Sequence, residues 1–313
     1  MSHRRIAVRP SVSVMMCVYR PDPCFFPAAV ESVLAQTHDD LELVIVEDPS
    51  ERCGRAMLPR DLDCRVRYYT NSHRTSLIEQ RNRALAESRG ELIAVLDADD
   101  LAEPDRFERQ AAFLDTHVDL GLVGTQVAVI DGRGAITGHR RFPLDHRSIV
   151  AAMHRVVPFC QPSVMYRKQA VLRAGAYQST FGTIVEDYDL YSRLILAGVR
   201  TANLPATLTR YRLHAGQAKA KHLRATIRTV LAVKRRYWWA TMDLECRLRM
   251  LAERSLLCLP QAIVFSLLTR MYYRDEPPPP RHPLEAVECT PACAKRADAH
   301  KGMARAVVQS DSF

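Results

Sequence analysis

Residues 91–100 read ELIAVLDADD: five consecutive apolar side chains at 92–96 run directly into Asp97, Asp99 and Asp100. So short and unbroken an apolar run, coming after a turn, reads as a strand buried on both faces, as in parallel sheets. Its carboxylates then emerge at the strand's C-terminal end, where open α/β sheets bind ligands. Working backwards, LIEQRNRALAES at 77–88 has helical spacing and is stopped by Gly90. VRYYT at 66–70 and LELVIVED at 41–48 are strands, PAAVESVLAQ at 27–36 is a helix, and the apolar run at 12–19 is the first strand. Forwards, 106–117 is a helix and GLVGTQVAVID at 121–131 a strand, ended by the turn Asp131-Gly132-Arg133-Gly134. This alternation predicts an α/β protein with a mostly parallel central sheet flanked by helices.

The chain has 313 residues, 47% of them hydrophobic and 25% charged, which is ordinary globular composition and excludes fibrous and wholly disordered classes. Its formal charge is +9, yet residues 1–210 hold 26 basic and 26 acidic side chains. Residues 211–313 hold 18 basic and 9 acidic, so the whole excess is C-terminal. Nine scattered cysteines form no CxxC pair, which argues against a zinc ribbon and for reduced cytosolic thiols. The run at 12–19 ends in Arg20-Pro21 and reads as a strand rather than a signal sequence. The apolar stretch 255–269 is interrupted at Pro260-Gln261 and falls short of the ~20 residues a spanning helix needs. A cytoplasmic protein is expected.

Twelve glycines form neither GxGxxG nor GxxxxGK, so the usual glycine cradles for phosphate are missing. A divalent cation is the obvious substitute, and Asp97-Ala98-Asp99-Asp100 suits one: hard cations take oxygen ligands and keep positions for substrate phosphates. One carboxylate can face a sugar while its neighbour faces the metal. Glu47-Asp48 ends the second strand in the same way, and a carboxylate there can accept the imide or hydroxyl hydrogens of a nucleoside; a plain turn fits equally. Arg81 in the helix before the acidic strand can neutralise a diphosphate, or simply lie on a solvated face. Glu186-Asp187-Tyr188-Asp189 precedes a helical stretch at 190–197, so one carboxylate there can serve as general base, with helix capping the competing role. His214 in Tyr211-Arg212-Leu213-His214 is, alone, more naturally a surface residue than a ligand.

Taken together, these pieces resemble glycosyltransferase family 2, the inverting GT-A enzymes that use nucleotide-diphosphate sugars. The resemblance runs through SVSVMMCVYRPDPCFFPAAVESVLAQTHDDLELVIVEDPS, QRNRALAESRGELIAVLDADDLAEPDRFERQ, FLDTHVDLGLVGT, PFCQPSVMYRKQAVLRAGAYQSTFGTIVEDYDLYSRLILAG and YRLHAGQ, about residues 11–217. It implies that Tyr19, Glu47 and Asp48 line the nucleoside pocket, Arg81 lies beside the diphosphate and Asp97 meets the ribose or sugar. It also implies that Asp99 holds Mn²⁺ or Mg²⁺ with His214 nearby, and that Asp187 is the catalytic base with Glu186 placing the sugar or acceptor. The donor implied is a nucleotide-diphospho-sugar, a UDP-sugar first among them, and the acceptor a glycan or lipid-linked glycan. Four positions depart from the pattern. Glu47-Asp48-Pro49-Ser50 replaces Asp-Asp-Gly-Ser, and His73-Arg74-Thr75-Ser76 lacks the glycine common before the Arg-Asn helix. Gln161 stands where histidine is frequent, and Ala176 where a glycine precedes Tyr177.

The expected organisation is a catalytic GT-A domain at 1–210, a basic amphipathic helical extension at 211–276 and a Pro-rich, disordered tail at 277–313. Between Tyr211 and Met242 lie eight Lys/Arg and no acid, and 219–257 keeps helical apolar spacing. With the Tyr237-Trp238-Trp239 step, this basic segment suggests a peripheral membrane contact, with a solvated outer helix face as the equal alternative. A nucleic-acid-binding protein is the rival from another class, but a charge-neutral catalytic half with acidic strand ends would repel phosphate, so no nucleic-acid partner is expected. A catalytically inactive scaffold of the same fold is the other alternative. A nucleotidylyltransferase would need a Gly-rich basic loop where Val18-Tyr19-Arg20-Pro21 stands.

Overall fold

The computed structural model describes residues 10–182, 184–213, 223–259 and 264. Strands β1 (Val12–Val18), β2 (Leu41–Glu47), β3 (Val66–Thr70), β4 (Leu92–Val95), β5 (Leu101–Ala102), β6 (Leu120–Ile130), β7 (Ile136–Arg140), β8 (Met165–Arg167) and β9 (Arg200–Arg212) form one sheet. Its order is β3-β2-β1-β4-β8-β6-β9-β5, with β7 paired to β6. The ladders β1–β2, β2–β3, β1–β4 and β6–β9 are parallel and hold most of the register pairs; β8 is the antiparallel strand that joins the two halves. The expected α/β class, with helices flanking a mostly parallel sheet, is what forms.

Side-chain alternation along the central strands builds a core on each face. Val12, Val14, Met16 and Val18 of β1 join Leu41, Leu43 and Ile45 of β2 under helices α1 (Phe25–Leu34) and α3 (Arg106–Thr116). Met15, Val44, Val46, Ile93 and Val95 point the other way, under α2 (Leu77–Glu87), α4 (His146–Met153), α5 (Lys168–Arg173) and α6 (Glu186–Leu196). Gly90 is needed for a reason other than the helix stop expected of it. α2 already ends at Glu87, and a Cβ on Gly90 would lie 2.7 Å from the backbone nitrogen of Ser13 in β1. The close approach lets the Gly90 N–H donate to Ser13 Oγ (2.8 Å), while that hydroxyl donates to Glu42 (2.6 Å).

The helical spacing expected over 219–257 is carried, from Leu223, by several shorter pieces. Helix α7 (Leu223–Val233) runs into a π-helical turn, Lys234–Trp238, then a short 3-10 turn, Trp239–Thr241, and helix α8 (Leu244–Ser255). Asp243 starts α8 by accepting the Cys246 N–H at 2.7 Å. The π turn carries side chains inward. Trp238 Nε1 donates to Ser192 Oγ (3.0 Å), the Tyr237 hydroxyl to Asp189 (2.9 Å), and Lys234 to the Arg155 carbonyl (2.8 Å) and Glu253 (2.6 Å). Two aromatics of the expected membrane step, and one of the counted cations, are therefore committed to the protein interior. The expected 277–313 tail, and His214, lie outside the described residues.

Candidate active site

Parallel strands β1, β2 and β4 end at the same edge of the sheet, so Tyr19, Asp48 and Asp97 follow one another across it. Helix α2 delivers Arg81 to that edge. Its first turn is held by a capping box, in which Ser76 Oγ accepts the Glu79 N–H and the Glu79 carboxylate accepts the Ser76 N–H (2.8 Å). Arg81 is buried, with its Nη2 3.7 Å from Asp97 and 3.3 Å from Glu186, and its guanidinium 5.5 Å from the Tyr177 ring centroid. Burial opposes its charge, but Glu186, Tyr177 and Asp97 outweigh that and hold it firmly cationic. Its Nε and Nη1 have no hydrogen-bond partner. The adjacent Asn82 grips Tyr177 from both sides of the backbone, donating to its carbonyl (2.9 Å) and accepting its N–H (3.0 Å).

Glu186 and Asp187 form the first turn of α6, where the helix dipole favours negative charge. Neither acts as N-cap. That position belongs to Val185, whose φ of +72° puts a β-branched residue in the left-handed region. Strain of this kind typically costs ~1–3 kcal/mol and persists where neighbouring structure enforces it. Asp187 is buried and accepts the Tyr188 N–H at 2.8 Å. Asp189, third acid of the cluster, is spent on Arg193 (2.8 Å) and the Tyr237 hydroxyl. Sequence reasoning missed Cys17, a half-buried residue whose thiol is pushed up to about 12 by desolvation, with Arg81 opposing and Asp97, Glu186 and Asp48 adding to the rise. That one thiol feels all four charges shows how tightly the site is drawn together.

Asp97 and Asp99 are partly exposed, while Asp100 is fully buried. Asp100 accepts the Arg212 N–H at 2.7 Å through one oxygen, and its other oxygen has no partner. Burial first, then Asp99 and Asp97, holds its carboxyl well above the usual range. Arg212 is buried, its Nε donating to the Asp99 carbonyl (2.8 Å) and its guanidinium lying against the Phe25 ring. Three acids share this strand end, and their mutual repulsion marks a place that a hard cation suits. Among the described residues no group of three His, Cys, Asp or Glu is placed to hold a metal unaided. That fits an ion completed by substrate phosphates and water.

The end of β2 is built differently. Glu47 is buried, accepting the Gly54 N–H (2.5 Å) and the Tyr68 hydroxyl (2.8 Å) on its two oxygens. Asp48 accepts the Thr75 N–H (2.7 Å), the Thr75 hydroxyl (2.9 Å) and the Asn71 amide (2.6 Å). Tyr19 is half-buried with the Arg74 guanidinium 4.5 Å and that of Arg20 5.4 Å from its ring centroid. Arg74, in the segment that departs from the family pattern, thus stands against Tyr19, where the sequence marked only a missing glycine.

Comparison with known proteins identifies the family and the fold. The family model described as Glycosyl transferase family 2 matches residues 13–175, just over half of the chain. The O-antigen biosynthesis glycosyltransferase WbnJ of Escherichia coli is 31% identical over 212 residues, covering 65% of this chain and 80% of that protein. The UDP-Glc:alpha-D-GlcNAc-diphosphoundecaprenol beta-1,3-glucosyltransferase WfaP of Escherichia coli is 27% identical, covering 69% and 83%. Among solved structures, the mannosyltransferase PcManGT from Pyrobaculum calidifontis in complex with GDP-Man and Mn²⁺ superposes with a TM-score of 0.56 at 15% identity, covering 95% of this chain and 81% of that one. The last likeness speaks to the fold, a GT-A architecture. With a family model spanning the acidic strand and the Arg81 helix, the chain belongs to glycosyltransferase family 2 and is a glycosyltransferase.

Proposed function

We propose that this glycosyltransferase moves a sugar, with inversion, from a nucleotide-diphosphate donor to an acceptor hydroxyl on a glycan or lipid-linked glycan. Arg81 carries the reading: it is a buried cation between Asp97 and Glu186, with two nitrogens that no described group satisfies. A diphosphate supplies what those nitrogens lack. The GDP-Man in PcManGT and the UDP-Glc in the name of WfaP support a nucleotide-sugar donor, with a UDP-sugar the first to test. WfaP's acceptor, by its name, is a sugar on diphosphoundecaprenol, which supports a lipid-linked acceptor held at a membrane.

In this mechanism Tyr19 stacks on the base, while Glu47 and Asp48 wall the nucleoside pocket and fix its loops. Asp97 accepts from the ribose or sugar hydroxyls, and Arg81 donates to the diphosphate. Asp99, with His214, would hold Mn²⁺ or Mg²⁺, which when bound supplies Lewis-acid charge to the departing diphosphate. Glu186 positions the sugar and acceptor. Asp187 takes the acceptor hydroxyl proton as the oxygen attacks the anomeric carbon; the new C–O bond forms as the bond to the diphosphate oxygen breaks. Screening nucleotide sugars for metal-dependent hydrolysis, then acceptor extracts with the best donor, tests the reaction. Asp187→Asn is expected to lower transfer by about 10²–10⁴-fold with donor affinity retained; transfer at the wild-type rate by the folded variant overturns the base assignment.

A further inference from the structure

Among its described residues the C-terminal extension has two apolar faces, one packed on the protein and one exposed. Inwardly, Trp238 and Cys246 are buried and Tyr237 reaches Asp189, fastening the extension to the catalytic helix α6. Outwardly, Leu244, Leu248 and Leu251 recur at i, i+4 and i+7 on α8 and are 72%, 56% and 54% exposed, with Trp239 41% exposed beside them. One edge of this stripe is cationic. Arg247 lies against the Trp239 ring, 4.9 Å from its centroid, and Arg254 follows one heptad later. Arg235 and Arg236 are also exposed, on the π turn that leads to Trp239.

The described acids of the extension are already engaged. Glu253 is held by Lys234 and Arg249, Glu245 by Arg155, and Asp243 caps α8. The outer face therefore offers leucines, an indole and guanidinium groups, with its described carboxylates each tied to a cation or a cap.

We propose that this face docks onto an anionic phospholipid bilayer, with Leu244, Leu248 and Leu251 entering the acyl boundary and Trp239 at headgroup depth. Arg235, Arg236, Arg247 and Arg254 pair with the phosphates. A helix with leucines on one stripe, a tryptophan at its rim and arginines alongside is suited to lying in the interface plane, where guanidinium groups reach the headgroups while their stems cover apolar surface. A protein partner would meet a contact whose border carries four like charges, whereas an anionic leaflet is complementary to all four. This differs from docking through the whole Tyr237-Trp238-Trp239 step, because only Trp239 is free to leave the protein. It rests on the proposed membrane-borne acceptor for its biological sense, but its test needs no turnover.

The experiment is cosedimentation of the full chain with sucrose-loaded vesicles, either phosphatidylcholine alone or an equal mixture with phosphatidylglycerol, at low and high salt. Binding is expected to the anionic vesicles, weaker to phosphatidylcholine and weakened by salt. Leu248→Glu should lower the anionic partition by about tenfold or more, and Arg247→Glu with Arg254→Glu should remove the preference for anionic lipid. Circular dichroism and donor hydrolysis in solution should stay at wild-type values in these variants, which separates loss of docking from loss of folding. No binding by the full chain, equal binding to both vesicles, or undiminished binding by Leu248→Glu overturns the proposal. So does a dimer that Leu248→Glu dissociates, which would make the face a contact between copies. So does protection of 244–251 from hydrogen exchange without vesicles that is lost on removing 260–313, which would make the chain's own C-terminal segment the occupant. Vesicle binding without any glycosyl transfer would leave the docking face standing and sink the enzymatic reading alone.

Discussion

Two acidic clusters end the parallel strands on either side of β1, and the fold treats them in opposite ways. Glu47 and Asp48 leave β2 with four carboxylate oxygens, each accepting from Gly54, Tyr68, Asn71 or Thr75. Asp97, Asp99 and Asp100 leave β4 crowded together at one strand end, with two guanidinium groups close by. They share Arg81 and Arg212, and one buried oxygen of Asp100 has no partner. Charge without saturation is what a cation or a phosphate can exploit, whereas a saturated carboxylate mainly holds loops in place. The difference teaches that acids at a strand end are not equivalent evidence of chemistry; the donors that surround them decide.

The strongest way to break this comparison is to remove the charge that the unsaturated group shares. Arg81→Met leaves buried Glu186 and partly exposed Asp97 facing each other without a cation. A loss of about 3–5 kcal/mol is expected when one partner of a buried ion pair is deleted, together with loss of donor binding. Urea unfolding and donor titration measure the two effects. Arg81→Lys separates them: it keeps the charge and so most of the stability, but gives up the fork geometry, and donor affinity should still fall. Stability and donor affinity both left intact in Arg81→Met would show that the site does not depend on this residue.

Breaking the saturated pair should give the converse result. Asp48→Ala strips acceptors from the Thr75 N–H and the buried Asn71 amide, at about 2–4 kcal/mol by the cost of stranding buried donors. The loss should appear in urea unfolding, and any residual transfer should keep its wild-type dependence on metal concentration. A changed metal dependence would place Asp48 with the acids of β4 after all. A smaller effect comes from the metal itself. Mn²⁺ at a hundredfold excess over its dissociation constant should stabilise the wild type by about 2–3 kcal/mol. Thermal unfolding reads this directly, and Asp99→Ala should abolish the shift while Asp48→Ala preserves it.

How much of this was legible beforehand follows from the same contrast. Strands β1, β2 and β4 were readable because each is a largely apolar run in a part of the sheet covered on both faces, and their ends marked the binding edge. The identities of Arg81, Asp97 and Glu186 came from residue type and resemblance, but their contact did not, since α2, β4 and α6 meet only through the tertiary fold. Saturation of Glu47 by Gly54 and Tyr68 left no local signal: the donors lie 7 and 21 residues away, in a loop and on β3. The π turn at 234–238 was hidden for a related reason. Helical periodicity does not register a one-residue slip, and burying Trp238 and Lys234 against α6 and α4 is a long-range gain.

The smallest expected effect probes the floor beneath Arg81. Ala176 has a φ of +54°, in the left-handed region, at the position where the family pattern has glycine. Its neighbour Tyr177 is fixed there by Asn82 and donates no flexibility to the guanidinium that lies 5.5 Å from its ring. A Cβ in this region costs ~1–2 kcal/mol in local sterics, while glycine returns part of that gain through the greater entropy of its unfolded chain. The balance favours Ala176→Gly by about 0.5–1 kcal/mol, seen as a higher urea midpoint at unchanged m-value. Donor affinity should not move, because Asn82 and Gln161, which donates to the Tyr177 hydroxyl at 3.0 Å, still set the ring. A gain in stability bought with weaker donor binding would instead mean that strain at Ala176 helps to press Tyr177 toward Arg81, and the unsaturated cluster would then owe its shape to the backbone as well as to its charges.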